Sequence, residues 1–339
     1  MAGSGHAQLR DGPDVILRVE DLVVEFPVGR RQVVHAVSDV SLDVADGETL
    51  GIVGESGCGK STLARSIIRL NEVRSGSVSY QGRDLVQMDG EELRQVRPDL
   101  QMIFQDPISS LNPRRRVRDV VSEGLAVWGN DRGIWSQDRI EELMEAVGID
   151  PELGDRWPHQ FSGGQCQRIG IARALALDPR VLICDEPVSA LDVSVQAQIL
   201  NVLEEMKGRY GLTMLFISHD LSVVKNVSDR IVVMYLGKVC EIGSADNLYE
   251  RPTHPYTRAL LAAIPEPAAT VDVSEADIGG ELPSPIDPPS GCRFHTRCPH
   301  ADDLCREVEP ETRPWGDDDH YVACHHPVST PVRLPTSGG

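Results

Sequence analysis

The chain has 339 residues, which at one domain per ~150 residues suits about two domains, and its 52 acidic against 33 basic residues give a formal charge of −19. No half of the chain carries a long basic run, so recognition of nucleic acid by charge is disfavoured. Hydrophobic residues make up 40% and aromatic residues only 4%, and no stretch approaches the ~18 uninterrupted apolar residues that span a bilayer, so the chain is not expected to cross a membrane on its own.

Residues 1–14 are polar and lack the basic start, apolar run and small-residue cleavage site of a secretory signal, and they read as a short frayed arm of a cytosolic protein. Segments 16–26, 33–44 and 76–80 alternate apolar and polar residues and predict antiparallel strands in a small β layer. Thr49–Val53, Val181–Asp185 and Thr213–Ser218 are short apolar runs, the pattern of strands buried on both faces of a parallel sheet. Amphipathic stretches 61–70 and 195–207 predict helices between them. Residues 106–160 carry two proline-marked loops and a helix-like run, 137–147, with Ile140, Leu143, Met144 and Val147 at helical spacing. Past Gly243 the composition shifts to a proline-rich stretch, a cysteine cluster and a polar tail from Val328, which places a domain boundary near residue 250. No internal repeat is visible.

The strand Thr49–Val53 runs directly into Gly54-Glu55-Ser56-Gly57-Cys58-Gly59-Lys60-Ser61, followed by Thr62 and a helical run. This is the pattern G-x-x-x-x-G-K-[ST]. Its glycines let backbone N–H groups curl around phosphate oxygens, and the helix N-terminus adds positive potential. Lys60 reaches the β- and γ-phosphates and the Ser61 hydroxyl ligates Mg²⁺. The plainer reading is a glycine-rich turn that binds nothing. The strand before and helix after argue against it, as does the scarcity of lysine: Lys60, Lys207, Lys225 and Lys238 are the four lysines among 33 basic residues.

Phosphoryl transfer to water also needs a metal ligand and a group that orients the water. Val181–Asp185 ends in a carboxylate and Glu186 follows at once, placing Asp185 to hold Mg²⁺ through water and Glu186 to polarise the nucleophile. Alone, an apolar strand ending in Asp-Glu is more often just a strand end. Paired with the glycine loop it points to a nucleotide-hydrolysing site.

Phe161-Ser162-Gly163-Gly164-Gln165 precedes a helical run, Ser189-Ala190-Leu191-Asp192 follows Glu186, and His219 sits just after Thr213–Ser218. With Gln105 in Phe104-Gln105-Asp106-Pro107, this set resembles the ATP-binding subunit of ABC transporters across residues 15–250. The resemblance implies an α/β fold: a P-loop NTPase (RecA-like) core with an antiparallel β subdomain and a helical subdomain over about 106–164, followed by a small irregular Cys-rich C-terminal domain over 251–327. Residues 1–14 and 328–339 are left as flexible tails. Phe161 stands where the family usually has leucine, with no consequence expected, because Ser162, Gly163, Gly164 and Gln165 carry the phosphate contacts.

A helix N-terminus at 162–165 is a second anion site, although the glycine loop already holds the phosphates of its own chain. The family resolves this by head-to-tail dimerisation, each γ-phosphate lying between Lys60 of one chain and residues 162–165 of the other. The resemblance further implies that His219 contacts the γ-phosphate, Gln105 couples metal and water to the membrane partner, Asp192 crosses the dimer seam and Phe26 stacks on adenine. A lone phenylalanine at a strand end or a lone histidine after a strand is more often core. Cys58, Cys166 and Cys184 read as small buried fillers.

The chain has one cassette, no fused membrane helices and no long coiled-coil insertion, which suits an importer subunit acting on separate membrane proteins at the cytoplasmic face. Arg251-Pro-Thr-His-Pro-Tyr-Thr-Arg-Ala-Leu-Leu261 and Gly291-Cys-Arg-Phe-His-Thr-Arg-Cys-Pro299 resemble the tail of dipeptide and oligopeptide importer ATPases. The implied partners are a second ATPase subunit, two transmembrane permease subunits and, indirectly, an extracytoplasmic substrate-binding protein. The same branch includes nickel, glutathione and sugar importers. The competing class is a soluble, non-transport ABC ATPase.

Cys292, Cys298, Cys305 and Cys324 fall in a loop-rich segment with few apolar residues, the kind often ordered by a metal centre. Four thiolates suit Zn²⁺ or an iron–sulfur cluster. The spacing lacks the paired C-x₂₋₄-C knuckles usual for zinc, and the resemblance carries a [4Fe–4S] cluster onto these four residues. His295, His300, His320, His325 and His326 lie in the same region, leaving zinc with mixed ligands open, although the plainer reading of most of them is exposed polar loop, and of the cysteines four free thiols that hold no metal.

Overall fold

The computed structural model describes residues 5–29, 31–132, 136–264, 280–316 and 319–328, with the side chains of 129–132 excepted. The tail expected beyond Val328 and part of the proline-rich stretch lie outside the described residues.

In chain order the strands are β1 (Val15–Val28), β2 (Gln32–Ala45), β3 (Thr49–Val53), β4 (Ser75–Tyr80), β5 (Arg83–Asp84), β6 (Leu100–Ile103), β7 (Val181–Asp185), β8 (Thr213–Ser218), β9 (Arg230–Tyr235), β10 (Lys238–Ser244), β11 (Arg313–Pro314) and β12 (Tyr321–Val322). The helices are α1 (Lys60–Ile67), α2 (Gly90–Val96), α3 (Val117–Val121), α4 (Glu123–Arg132), α5 (Gln137–Ala146), α6 (Gly163–Leu175), α7 (Val193–Tyr210), α8 (Leu221–Val227), α9 (Ala245–Glu250), α10 (Pro255–Ala262) and α11 (Asp303–Glu307). The described residues divide into two compact units, one drawn from 1–45, 49–87 and 218–339, the other from 46–48 and 88–217.

In the first unit, β1 and β2 form a long antiparallel hairpin, and β4 and β5 complete a sheet of order β2-β1-β4-β5. In β1 the alternation read from the sequence is the alternation of burial, Leu17, Val19, Leu22 and Val24 being fully buried, whereas β2 is buried on both faces over residues 40–44, Asp43 included. The same unit holds β11-β12-β10-β9-β3 in that order, with β3 parallel to β9 and the remaining neighbours antiparallel. Strand β3 is buried along its whole length. Helix α8 lies directly on it at Gly51, where a Cβ would come within 2.2 Å of Val224 Cγ1.

The N-terminal arm corrects the expectation of fraying. Gln8 is 2% exposed and donates from Nε2 to the Ser41 carbonyl at 3.0 Å, while Arg10 Nε donates to Asp43 Oδ1 at 2.9 Å. A polar arm is anchored here because β2 offers it a buried carboxylate and a carbonyl that need partners.

The second unit contains the parallel strands β8-β7-β6, with Val181 opposite both Thr213 and Leu100. Helix α6 packs against β6 and against α3, α4, α5 and α7. Helix α5 covers nearly the run expected from its periodicity and buries Ile140, Leu143 and Met144. Ser136 caps it by accepting the Arg139 N–H at 3.1 Å. Among the described residues no helix is long and apolar enough to cross a membrane.

Candidate functional site

The glycine loop connects the buried end of β3 to α1 in the first unit. Gly54 and Gly59 are required by close approach: a Cβ on either would lie 2.1 Å from a backbone oxygen, that of Met234 and of Ala36 respectively. Gly59, at φ +105, is the N-cap of α1, so the first-turn amides of Lys60, Ser61 and Thr62 face the loop. Ser56 and Gly57 form its exposed tip. Lys60 is 3% exposed, and its Nζ donates to the carbonyls of Gly54 at 2.6 Å and Glu55 at 3.0 Å. The ammonium is thereby held over a loop with the glycines, amides and hydroxyl that a triphosphate and Mg²⁺ require. Cys58 is 1% exposed with its thiol pKa pushed up by burial, as a small filler should be, and Cys166 and Cys184 are likewise buried.

Phe26 of β1 pairs with Val34 of β2, two residues before the Ala36 that abuts Gly59. Phe26 is 37% exposed rather than packed in the core. His219, beyond β8 in the same unit, is also exposed.

The second unit brings Gln105 and Glu186 together. Asp185 ends β7 fully buried, and Glu186 is 8% exposed. Gln105 Nε2 donates to Glu186 Oε2 at 3.1 Å. Glu186 adopts φ +46, a left-handed conformation that costs a non-glycine residue about 1–2 kcal/mol, and its N–H donates to the Ile217 carbonyl at 3.0 Å. Its own carbonyl accepts the Ser189 hydroxyl at 3.1 Å. The turn is therefore pinned on both sides.

Residues 162–165 open helix α6, as the motif predicts. Ser162 Oγ accepts the Gln165 N–H at 3.3 Å, and Gln165 Oε1 accepts the Ser162 N–H at 3.0 Å, a capping box. This arrangement uses a lone pair of Ser162 and leaves its O–H proton available to an anion. Gly164 has a structural reason beside any phosphate role, since a Cβ there would meet Val195 Cγ1 of α7 at 2.5 Å. Asp192 is the exposed N-cap of α7, accepting the Val195 N–H at 3.0 Å and the Ser194 hydroxyl at 2.7 Å.

In the first unit the four cysteines of the C-terminal segment converge. The Cys292 N–H donates to the Cys305 carbonyl at 2.8 Å. Burial pushes the Cys292 thiol up to about 11, and Cys298 and Cys305 add to the rise. Burial likewise pushes Cys324 up to about 12, with Cys292, Cys298 and Cys305 contributing. The Cys240 thiol of β10 is raised by burial and by Cys292 and Cys324, and a small cavity beside it is lined by His254, Cys292 and Phe294. Among the described residues, the ligand atoms lying within 4.8 Å of one another belong to Asp302, Cys305 and His326.

A family model described as ABC transporter matches residues 37–189, and one described as Oligopeptide/dipeptide transporter, C-terminal region, matches residues 240–305. The chain belongs to the ATP-binding proteins of ABC transporters, in the oligopeptide and dipeptide branch, as its motifs suggested. It is 49% identical over 321 residues to the oligopeptide transport ATP-binding protein OppF of Salmonella typhimurium, covering 91% of this chain and 96% of that one. It is 48% identical over 321 residues to the oligopeptide transport ATP-binding protein AppF of Bacillus subtilis, covering 92% and 97%. Among solved structures, a dimeric ATP-binding cassette in a post-hydrolysis state bound to ADP and Pi is similar at a TM-score of 0.61 and 28% identity, covering 68% of this chain and 98% of that one. The structure of cbiO1 from Clostridium perfringens, part of the ABC transporter complex cbiONQ, is similar at a TM-score of 0.61 and 28% identity, covering 70% of this chain and 91% of that one.

Proposed function

We propose that this chain is the ATP-hydrolysing subunit of a peptide importer, working at the cytoplasmic face on two membrane-spanning permease subunits and paired with a second ATPase subunit. The observation that carries the reading is similarity to oligopeptide transport ATP-binding proteins along both the cassette and the C-terminal segment. Peptide is favoured over nickel, glutathione or sugar by what those relatives are named for transporting. An extracytoplasmic binding protein would select the cargo, so the cargo never touches this chain.

In this reading the amides of residues 57–62 and Lys60 bind the triphosphate, and Phe26 stacks on the base. Ser61, Asp185 and Gln105 are the residues that would hold Mg²⁺, which when bound would supply charge neutralisation at the phosphates. Glu186 takes the proton of the attacking water, oriented by the Gln105 hydrogen bond at 3.1 Å. His219 contacts the γ-phosphate, and residues 162–165 with Asp192 of α7 face the second subunit across the nucleotide. Purification of the tagged chain from its native membrane tests this: two hydrophobic subunits and ATP hydrolysis are expected in the same fraction. Recovery with ribosomes or DNA instead would support a non-transport ATPase.

The segment around Cys292, Cys298, Cys305 and Cys324 is proposed to hold a [4Fe–4S] cluster. A four-thiolate zinc site, with its ~2.3 Å Zn–S bonds, needs sulfurs roughly 3.8 Å apart. The close group among the described residues is not all-sulfur but Asp302, Cys305 and His326, which favours a mixed zinc site as the second reading. Bound there, a metal centre would order a segment with few apolar side chains. Anaerobically purified protein is expected to be brown, with iron and sulfide in proportion to protein. Colourless protein with stoichiometric zinc would reverse the ranking.

A further inference from the structure

The second residue of the glycine loop, Glu55, is held at three points. Its N–H donates to Tyr256 Oη at 2.9 Å, and its carbonyl accepts Lys60 Nζ at 3.0 Å. Its carboxylate accepts Arg297 Nη1 at 3.0 Å from each oxygen. Two of these partners come from beyond residue 250. They stand on a buried aromatic cluster in which Tyr235 packs edge-on against Tyr256 at 4.8 Å and against Phe294 at 5.2 Å. The Arg297 guanidinium lies 5.7 Å from the centroid of the Tyr235 ring, and its side chain is 8% exposed. Leu282 lies beside the loop tip, its Cδ2 3.9 Å from where a Cβ on Gly57 would be.

This arrangement carries a cost and its remedy. A carboxylate inside a loop that receives a polyanion repels it, and the repulsion is strong where water is partly excluded. Arg297 removes that charge from the loop by pairing with both carboxylate oxygens, and the aromatic cluster fixes where the pair sits. A guanidinium this shielded also holds its partner in place better than an exposed surface pair does.

We propose that Arg297 is a positioning residue of the nucleotide site, neutralising Glu55 and fixing the glycine loop in the shape that accepts a nucleoside triphosphate, so that the Cys-rich segment is part of the ATP site. The inference rests on the function proposed above. It assigns Arg297 no contact with nucleotide, only action through Glu55.

The test is equilibrium binding of a fluorescent ATP analogue with Mg²⁺ to the full-length chain as isolated. Arg297→Gln is expected to weaken binding about tenfold, the effect of one uncompensated charge near the site, and Arg297→Lys to weaken it less. The decisive arm is the double variant Arg297→Gln with Glu55→Gln, which removes both charges and should return affinity to within about twofold of wild type. A contact that only supports the fold would leave the double variant at least as weak as the single one, and that result would overturn the proposal. So would an unchanged affinity in Arg297→Gln. A wild-type chain that binds no nucleotide would instead overturn the ATPase reading along with it. Thermal melting of each variant separates loss of fold from loss of affinity: a variant folded at the assay temperature yet weak in binding supports the assignment, whereas affinity loss that follows unfolding in every variant rejects it.

Discussion

Replacing Glu186 by glutamine is expected to lower steady-state ATP hydrolysis by about 10²–10⁴-fold, the range spanned by a positioned general base, while nucleotide binding persists. Glutamine matches glutamate in size and keeps the oxygen that accepts from Gln105 Nε2 at 3.1 Å. The backbone bonds to Ile217 and Ser189 do not involve the side chain, so the turn at φ +46 should survive. What is lost is the basic oxygen that takes the water proton. A subunit that binds ATP but cannot cleave it should accumulate as a closed dimer, visible by size-exclusion chromatography with ATP and Mg²⁺. Hydrolysis at the wild-type rate would reject Glu186 as the base.

The largest expected effect on stability lies at Glu241 of β10, a residue that no reading of the sequence singled out. Its carboxylate is fully buried and accepts the Thr253 N–H at 2.7 Å and the His254 N–H at 2.9 Å, and lies 2.7 Å from His320 Nε2. One side chain therefore joins β10, the turn into α10 and the approach to β12. Glu241→Ala leaves buried donors with no acceptor, and breaking such a buried pair costs about 3–5 kcal/mol. For a chain of this size that corresponds to a fall in melting temperature of roughly 4–7 °C. Glu241→Gln, which keeps one acceptor oxygen, should fall between. Melting curves of both variants within 2 °C of wild type would show that the network contributes nothing.

The parallel strands were legible because strands buried on both faces leave uninterrupted apolar runs, and β3, β7 and β8 match those runs residue for residue. Strand β1 was legible from alternation, since its apolar residues pack on one face; β2 alternates in sequence but is buried on both faces over residues 40–44, because its polar side chains find partners elsewhere in the chain. The glycine loop was legible for the same local reason: its chemistry is written in eight consecutive residues. Ser162 and Asp192 were read for phosphate and dimer roles, yet both also cap helices. That signal was present, because Ser162-x-x-Gln165 is a capping-box spacing. The anchoring of Gln8 and Arg10 was not legible, since a polar arm is ordered only by partners elsewhere in the chain.

Arg297 shows where local reading stops. It lies 242 residues from Glu55, in a stretch whose cysteines drew the attention, and no periodicity or spacing links the two. Cys240 is similar: alone in β10, it joins the thiols of Cys292 and Cys324 only because the chain returns there, Tyr321 and Val322 pairing with Ile242 and Glu241.

By itself, then, the sequence determined the nucleotide loop, the Asp185-Glu186 strand end and the helix at residues 162–165, because each is a backbone conformation and a set of donors specified within one turn of chain. Tertiary structure alone decided that Gln105 meets Glu186 and that the C-terminal segment grips the glycine loop through Tyr256 and Arg297. Contacts of that kind depend on how strands pair and helices pack over hundreds of residues, and they leave no local pattern to read.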